Sequence, residues 1–248
     1  MGEHDGANDY VAVYTPHTEI DPARTCLVVV DIQYATGDPG KGLGKFLASE
    51  GRLHEAEYRY DRIAEKVVPN TKRLLEFFRN NDLRRVFLTY GSEVSDYSDL
   101  SPQMRALCTE TNNKVGEREH EIIDELRPWP NERVFNKITP SAFTSTPIEI
   151  VLRTYEVDTL LFTGVSTNMC VEHTMRDGAS YGFYCFLVED ACGADSPEMH
   201  ESAITVVQRL YGAVLSTDEV ISKIEARLPA SSRRAVTTAG AHPGQPGT

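Results

Sequence analysis

Residues 158–181 read DTLLFTGVSTNMCVEHTMRDGASY. Leu160, Leu161 and Phe162 form a short apolar run that predicts a buried parallel strand, which Gly164 ends. Beyond a turn, Val171, Thr174, Met175, Gly178 and Ala179 recur at three- and four-residue spacing, the pattern of an amphipathic helix over 170–181 that lies close to a sheet. Cys170 is thus expected at a strand-to-helix turn, in the first turn of the helix. Unpaired amides and the positive end of the helix dipole favour an anion there, so the thiol is expected to lose its proton more easily than usual.

The same strand-then-helix grammar extends outward. Thr25 to Asp31 contains a Cys-Leu-Val-Val-Val core with no polar alternation, as in a strand covered on both faces, and it ends in a carboxylate. Val86–Thr89, Val134–Phe135, Tyr184–Glu189 and Ala213–Leu215 read as further strands. Ile63, Val67, Leu74, Leu75 and Phe78 mark a helix interrupted or begun near Pro69. Further helices are expected at about 117–126, 147–155 (Thr146 cap, Pro147, Glu149), 196–211 and 216–228, the last with a Ser216/Glu219 capping box. Residues 34–60, with glycines at 37, 40, 42, 44 and 51, read as an irregular segment covering substrate or contacting a neighbouring subunit. A phosphate loop fails there, because Pro39 stands where its first glycine is needed and Phe46 follows Lys45.

Strand and helix alternating in this way predict one α/β domain: a three-layer α/β/α sandwich around a mostly parallel sheet of about six strands. The domain is placed at 24–228, with an N-terminal arm over 1–23 and a polar tail over 229–248 that is too poor in apolar residues to fold.

Composition bounds the function. The 248 residues suffice for one sizeable core. A formal charge of −12 argues against a nucleic-acid partner, which wants clustered Lys and Arg. The five cysteines, at 26, 108, 170, 185 and 192, have no regular spacing and read as reduced thiols of a cytoplasmic protein. No signal peptide or membrane-spanning stretch is visible, and Gly6 breaks a myristoylation pattern at Gly2.

Asp31, Lys137 and Cys170 each stand just past the carboxyl end of a proposed strand, where open α/β sheets place their ligands. A cysteine nucleophile needs a proton acceptor, a positive charge and oxyanion donors. These residues and the turn amides near Ser166 and Cys170 could supply them, although each alone has a plainer reading: Asp31 as a helix cap, Lys137 as a solvated charge and Cys170 as a buried structural cysteine.

Three motifs carry a resemblance: VVVDIQ at 28–33, NKITPSAF at 136–143 and TGVSTNMCV at 163–171. Together, over about residues 20–225, the sequence resembles the isochorismatase-like cysteine hydrolases, which include nicotinamidase, N-carbamoylsarcosine amidohydrolase, biuret hydrolase and ureidoacrylate amidohydrolase. The resemblance implies Asp31 as proton acceptor and shuttle, Lys137 as the charge that orients it, and Cys170 as nucleophile. It also implies a cis peptide at Val165–Ser166, an oxyanion hole from the amides of Ser166 and Cys170, and substrate contacts from Gln33, Asn168 and Tyr34.

The expected activity is hydrolysis of a small amide or ureide without cofactor. No metal is expected, because Thr89-Tyr90-Gly91-Ser92-Glu93 lacks the histidine of the nicotinamidase metal cluster, and His54, His120, His173 and His200 have no ligand spacing. Vinyl ether hydrolysis and a non-catalytic binding role are the alternatives, the first needing no thiol. Arg52, Arg59 and Arg105 are candidates for a substrate carboxylate. The resemblance further implies a homodimer or homotetramer, with the N-terminal arm and the 34–60 segment as contact elements.

Overall fold

A computed structural model describes residues 17 and 19–229. The expected tail beyond 229 and most of the expected arm lie outside the described residues. Six strands, β1 (Thr25–Val30), β2 (Arg84–Tyr90), β3 (Arg133–Lys137), β4 (Thr159–Val165), β5 (Tyr184–Gly193) and β6 (Ala213–Leu215), form one sheet in the order β3-β2-β1-β4-β5-β6. Every pairing is parallel. The chain runs outward from β1 to β3, then crosses back to β4 on the other side of β1. The strand order therefore reverses between β1 and β4, the crevice where such sheets bind ligands.

β1 shows why the sheet sits where it does. All six of its residues are buried, so both faces must be covered. On one face Leu27, Val29, Phe87, Leu161 and Phe186 pack with Leu74, Leu75 and Phe78 of helix 68–80 and with Val220 and Ile224 of helix 217–225. On the other, Val28, Val30, Leu88, Leu160 and Phe162 pack with Ile148 and Leu152 of helix 148–154 and Met175 of helix 172–180. Cutting a ring such as Phe162 back to a methyl would cost about 3–5 kcal/mol at such a site.

Local readings hold in detail in several places. The Ser216 hydroxyl and the Glu219 carboxylate form the capping box; Thr146 Oγ1 accepts from the amide of Ile148, although Pro147 and not Thr146 is the N-cap of helix Ile148–Thr154. Two readings change. Residues 34–60 are largely helical, with helices at Tyr34–Gly37, Gly42–Ser49 and Glu57–Arg62 and a 3-10 turn at Leu53–Ala56. Glycines 42 and 44 signal close approach there rather than a loop: a Cβ on either would lie 2.2 Å from a backbone oxygen, of Ala35 or Pro39. The interruption expected near Pro69 is present: helix 57–62 runs through a π-helical turn, Ile63–Val67, and Pro69 sits in the first turn of helix Val68–Asn80, just after it. The helix expected over 117–126 is only two 3-10 turns, Arg118–His120 and Asp124–Leu126.

All five cysteines are free and buried. Among the described residues, no helix is long and apolar enough to cross a membrane.

Candidate active site

β1, β3 and β4 end at the same edge of the sheet, and the side chains there meet. Asp31 follows β1 directly, with a left-handed φ of 51° that Asp tolerates better than most residues. Its amide donates to Leu88 O of β2, and Gln33 N donates to Asp31 O, which bends the chain sharply beside the neighbouring strand. Lys137 is the last residue of β3, and its side chain is fully buried. Its Nζ lies 2.7 Å from Asp31 Oδ2 and 4.5 Å from the centre of the Tyr90 ring. Cys170 lies in a π-helical turn, Thr167–Val171, between β4 and helix 172–180. Its thiol interacts with both the Asp31 carboxyl and the Lys137 ammonium. Neither Asp31 oxygen accepts a hydrogen bond of conventional geometry. The Lys137 contact is an ion pair rather than an aligned hydrogen bond.

Electrostatics at this cluster differ from the expectation for a helix N-terminus. Burial pushes the Cys170 thiol up, and the neighbouring Asp31 charge adds to this against the pull of Lys137, to about 12. Cys170 is 9% exposed. Desolvation of a thiolate beside a carboxylate outweighs the pull of Lys137 and favours the protonated thiol. Burial lowers Lys137, but Asp31 and the Cys170 sulfur outweigh it and hold the ammonium above its ordinary value.

A cavity of about 230 Å³ opens onto Asp31 and Cys170. Leu43, Met104, Leu107 and Met169 contribute apolar wall, while Arg59, Ser166 and Asp195 contribute polar groups. The Val165–Ser166 peptide is cis.

The sequence-derived contact residues divide. Gln33 borders the cavity, but its amide is committed: Nε2 donates to Tyr90 O and His120 O, and Oε1 accepts from Tyr90 N. It braces the loop after β2 rather than offering free groups. Tyr34 lines a separate cleft with Asp38 and Tyr60, and its hydroxyl is engaged by Arg118 Nη2 and the amide of Asp124, so the structure does not place it with Cys170. Asn168 is not among the residues bordering the cavity, and its Oδ1 is buried without a hydrogen-bond partner. Of the three arginines, Arg52 pairs with Glu55 on the surface and Arg105 donates to the carbonyls of Tyr97 and Ser98, whereas Arg59 lines the cavity.

Among the described residues no group of three or more His, Cys, Asp and Glu could hold a metal ion. His120 Nε2 meets Asn136 Oδ1, and His173 Nδ1 meets Met169 O. His200 is buried behind the thiol turn, between Thr167 Oγ1 at 2.9 Å and Arg62 Nη2 at 2.7 Å. Arg62 can only donate, so Nε2 accepts and the ring proton sits on Nδ1, facing Thr167. Neither His200 nor Asp195 carries a local sequence signal that ties it to the site; packing of helix 197–206 against the turn 167–171 brings His200 to Thr167, and the Arg59 ion pair brings in Asp195.

Fold and site together define a doubly wound α/β protein with a thiol, a carboxylate and an ammonium grouped at the switch point of its sheet. The isochorismatase domain family model matches residues 25–219, and the chain belongs to that family. It is 29% identical over 213 residues to a protein named ureidoacrylate amidohydrolase RutB from Caulobacter segnis, covering 80% of this chain and 84% of that one. A protein of the same name from Methylobacterium radiotolerans is 29% identical over 225 residues, covering 86% and 85%. Among solved structures, a cysteine hydrolase from Pseudomonas syringae pv. phaseolicola superposes with a TM-score of 0.72 at 25% identity, over 86% of this chain and 98% of that one. An N-carbamoylsarcosine amidase from Thermoplasma acidophilum gives 0.58 at 27% identity, over 79% and 97%.

Proposed function

We propose that this protein is a cysteine amidohydrolase that cleaves the C–N bond of a small carboxamide, ureido or carbamoyl compound. The observation that carries this reading is the buried Lys137–Asp31 pair, 2.7 Å apart, with the Cys170 thiol against both at the cavity floor. The names of relatives that span most of the chain support amide chemistry.

In this scheme Cys170 Sγ attacks the substrate carbonyl carbon as its proton passes to Asp31. A C–S bond forms, and the carbonyl π electrons move to oxygen, where the amides of Ser166 and Cys170 receive the oxyanion. Collapse breaks the C–N bond, and the amine or ammonia leaves with the proton from Asp31. Water then attacks the thioester, losing its proton to Asp31, and Cys170 is released as a thiol when that proton returns. Lys137 keeps a fixed positive charge beside these transfers, so the thiol, and not a free thiolate, suffices as the resting state.

Ammonia release from a panel of nicotinamide, biuret, N-carbamoyl amino acids, ureidoacrylate and maleamate tests the proposal, with and without chelator. Turnover of at least one compound, unaffected by chelation, is expected. Turnover that vanishes with chelator and returns with zinc contradicts the metal-free scheme.

A further inference from the structure

One helix holds two adjacent residues of the turn that carries Cys170. Arg59 and Arg62 stand three apart in helix Glu57–Arg62 and so share a side of it. Arg59 Nη1 donates to Ser166 Oγ at 2.8 Å. Arg62 reaches the next residue through His200: its Nη2 donates to His200 Nε2 at 2.7 Å, and His200 Nδ1 lies 2.9 Å from Thr167 Oγ1. Arg62, His200 and Thr167 do not border the cavity, so this link acts from behind the turn.

Each member of the link has its place fixed. Arg62 Nε donates to Cys192 O at 2.8 Å and Nη2 donates also to Glu189 O at 3.0 Å, which ties the guanidinium to β5. With Nε2 of His200 an acceptor, Nδ1–H is the donor and the Thr167 hydroxyl receives it. Thr167 and His200 are both buried, so loss of either partner leaves a buried polar group unpaired. The turn in its own right closes on Ser166, whose carbonyl accepts from the amides of Met169 at 2.9 Å and Val171 at 3.3 Å. A shift of the 166–167 peptide therefore moves the amides on either side of Cys170.

Resting on the amidohydrolase reading, we infer that Arg62 and His200 are positioning residues which, acting through Thr167, fix the turn whose Ser166 and Cys170 amides meet the oxyanion. Full negative charge develops on the carbonyl oxygen only as Cys170 attacks. Displaced amides therefore slow the chemical step and leave substrate binding nearly as it was.

The compound of the amide panel that the wild type turns over serves as the probe. kcat and KM are measured for Thr167→Val, Thr167→Ser, His200→Leu and the double variant Thr167→Val/His200→Leu, with folding checked by circular dichroism. Thr167→Val removes the acceptor at nearly constant shape and is expected to lower kcat about tenfold, with KM within about twofold, a smaller loss than that of an oxyanion donor outright. Thr167→Ser keeps the hydroxyl and is expected to stay within about threefold of the wild type. The double variant should be no slower than the slower single variant, because one link has been cut twice. Thr167→Val at the wild-type kcat, Thr167→Ser as slow as Thr167→Val, losses that multiply in the double variant, or a change confined to KM overturns the inference and leaves the amidohydrolase reading standing. If His200→Leu does not fold, the two Thr167 variants decide. A wild-type protein that turns over no compound of the panel refutes the amidohydrolase reading and takes this inference with it.

Discussion

Lys137 Nζ lies 2.7 Å from Asp31 Oδ2, joining the end of β3 to the end of β1 across the intervening β2. Both side chains are essentially buried, 0% and 6% exposed. Removing one charge of such a pair strands the other in a poorly solvated place. Lys137→Met is expected to destabilise the fold by about 3–5 kcal/mol, and the double variant Asp31→Asn/Lys137→Met to recover much of that loss. Urea denaturation of the four proteins in the cycle measures this. Additive losses would show that the two side chains are not coupled.

Gly164 presses β4 against β1 between Asp31 and Cys170. Its φ is 117°, and a Cβ there would lie 2.0 Å from Val30 O. Backbone, not a flexible side chain, would have to yield. Gly164→Ala should therefore lower stability by about 2 kcal/mol or more and reduce turnover by spreading the two strand ends. A thermal midpoint equal to that of the wild type would contradict the tight contact.

His200 links stability to pH. Burial and the Arg62 guanidinium lower it from 6.5 to about 4, although Glu189 Oε2 stands 4.0 Å from Nε2. Between those two values the unfolded chain binds a proton that the folded chain refuses. The contribution is therefore complete above pH 6.5 and is lost as pH falls towards 4. His200→Asn, which retains an amide near Thr167, should flatten the decline of unfolding free energy across that window. An unchanged slope would place the acid sensitivity in other groups.

How far the sequence reaches can be judged residue by residue. Thr25–Val30 and Thr159–Val165 announce buried parallel strands because nothing polar interrupts them, and from those two strands the place of the site follows. Three motifs far apart in the chain converge because parallel strands end on one side. The helix over Gly42–Ser49 was hidden because glycine marks both turns and close contacts, and only packing tells which applies. The direction in which the Cys170 thiol is shifted is not legible in the sequence, because dipole arguments are local whereas burial beside Asp31 is a tertiary fact. Arg59, Asp195 and His200 carry no spacing that ties them to Cys170; long-range packing alone gathers them.

The central claim is that Cys170 forms a covalent bond with substrate. Whichever compound of the amide panel is turned over by the wild type should be incubated with Cys170→Ser and Cys170→Ala, recording ammonia release alongside the circular dichroism spectrum. The account predicts loss of turnover on the order of 10⁴-fold or more in both variants, with the folded spectrum intact. Turnover within about tenfold of the wild type in either variant, a barrier change of only about 1.4 kcal/mol, would contradict it.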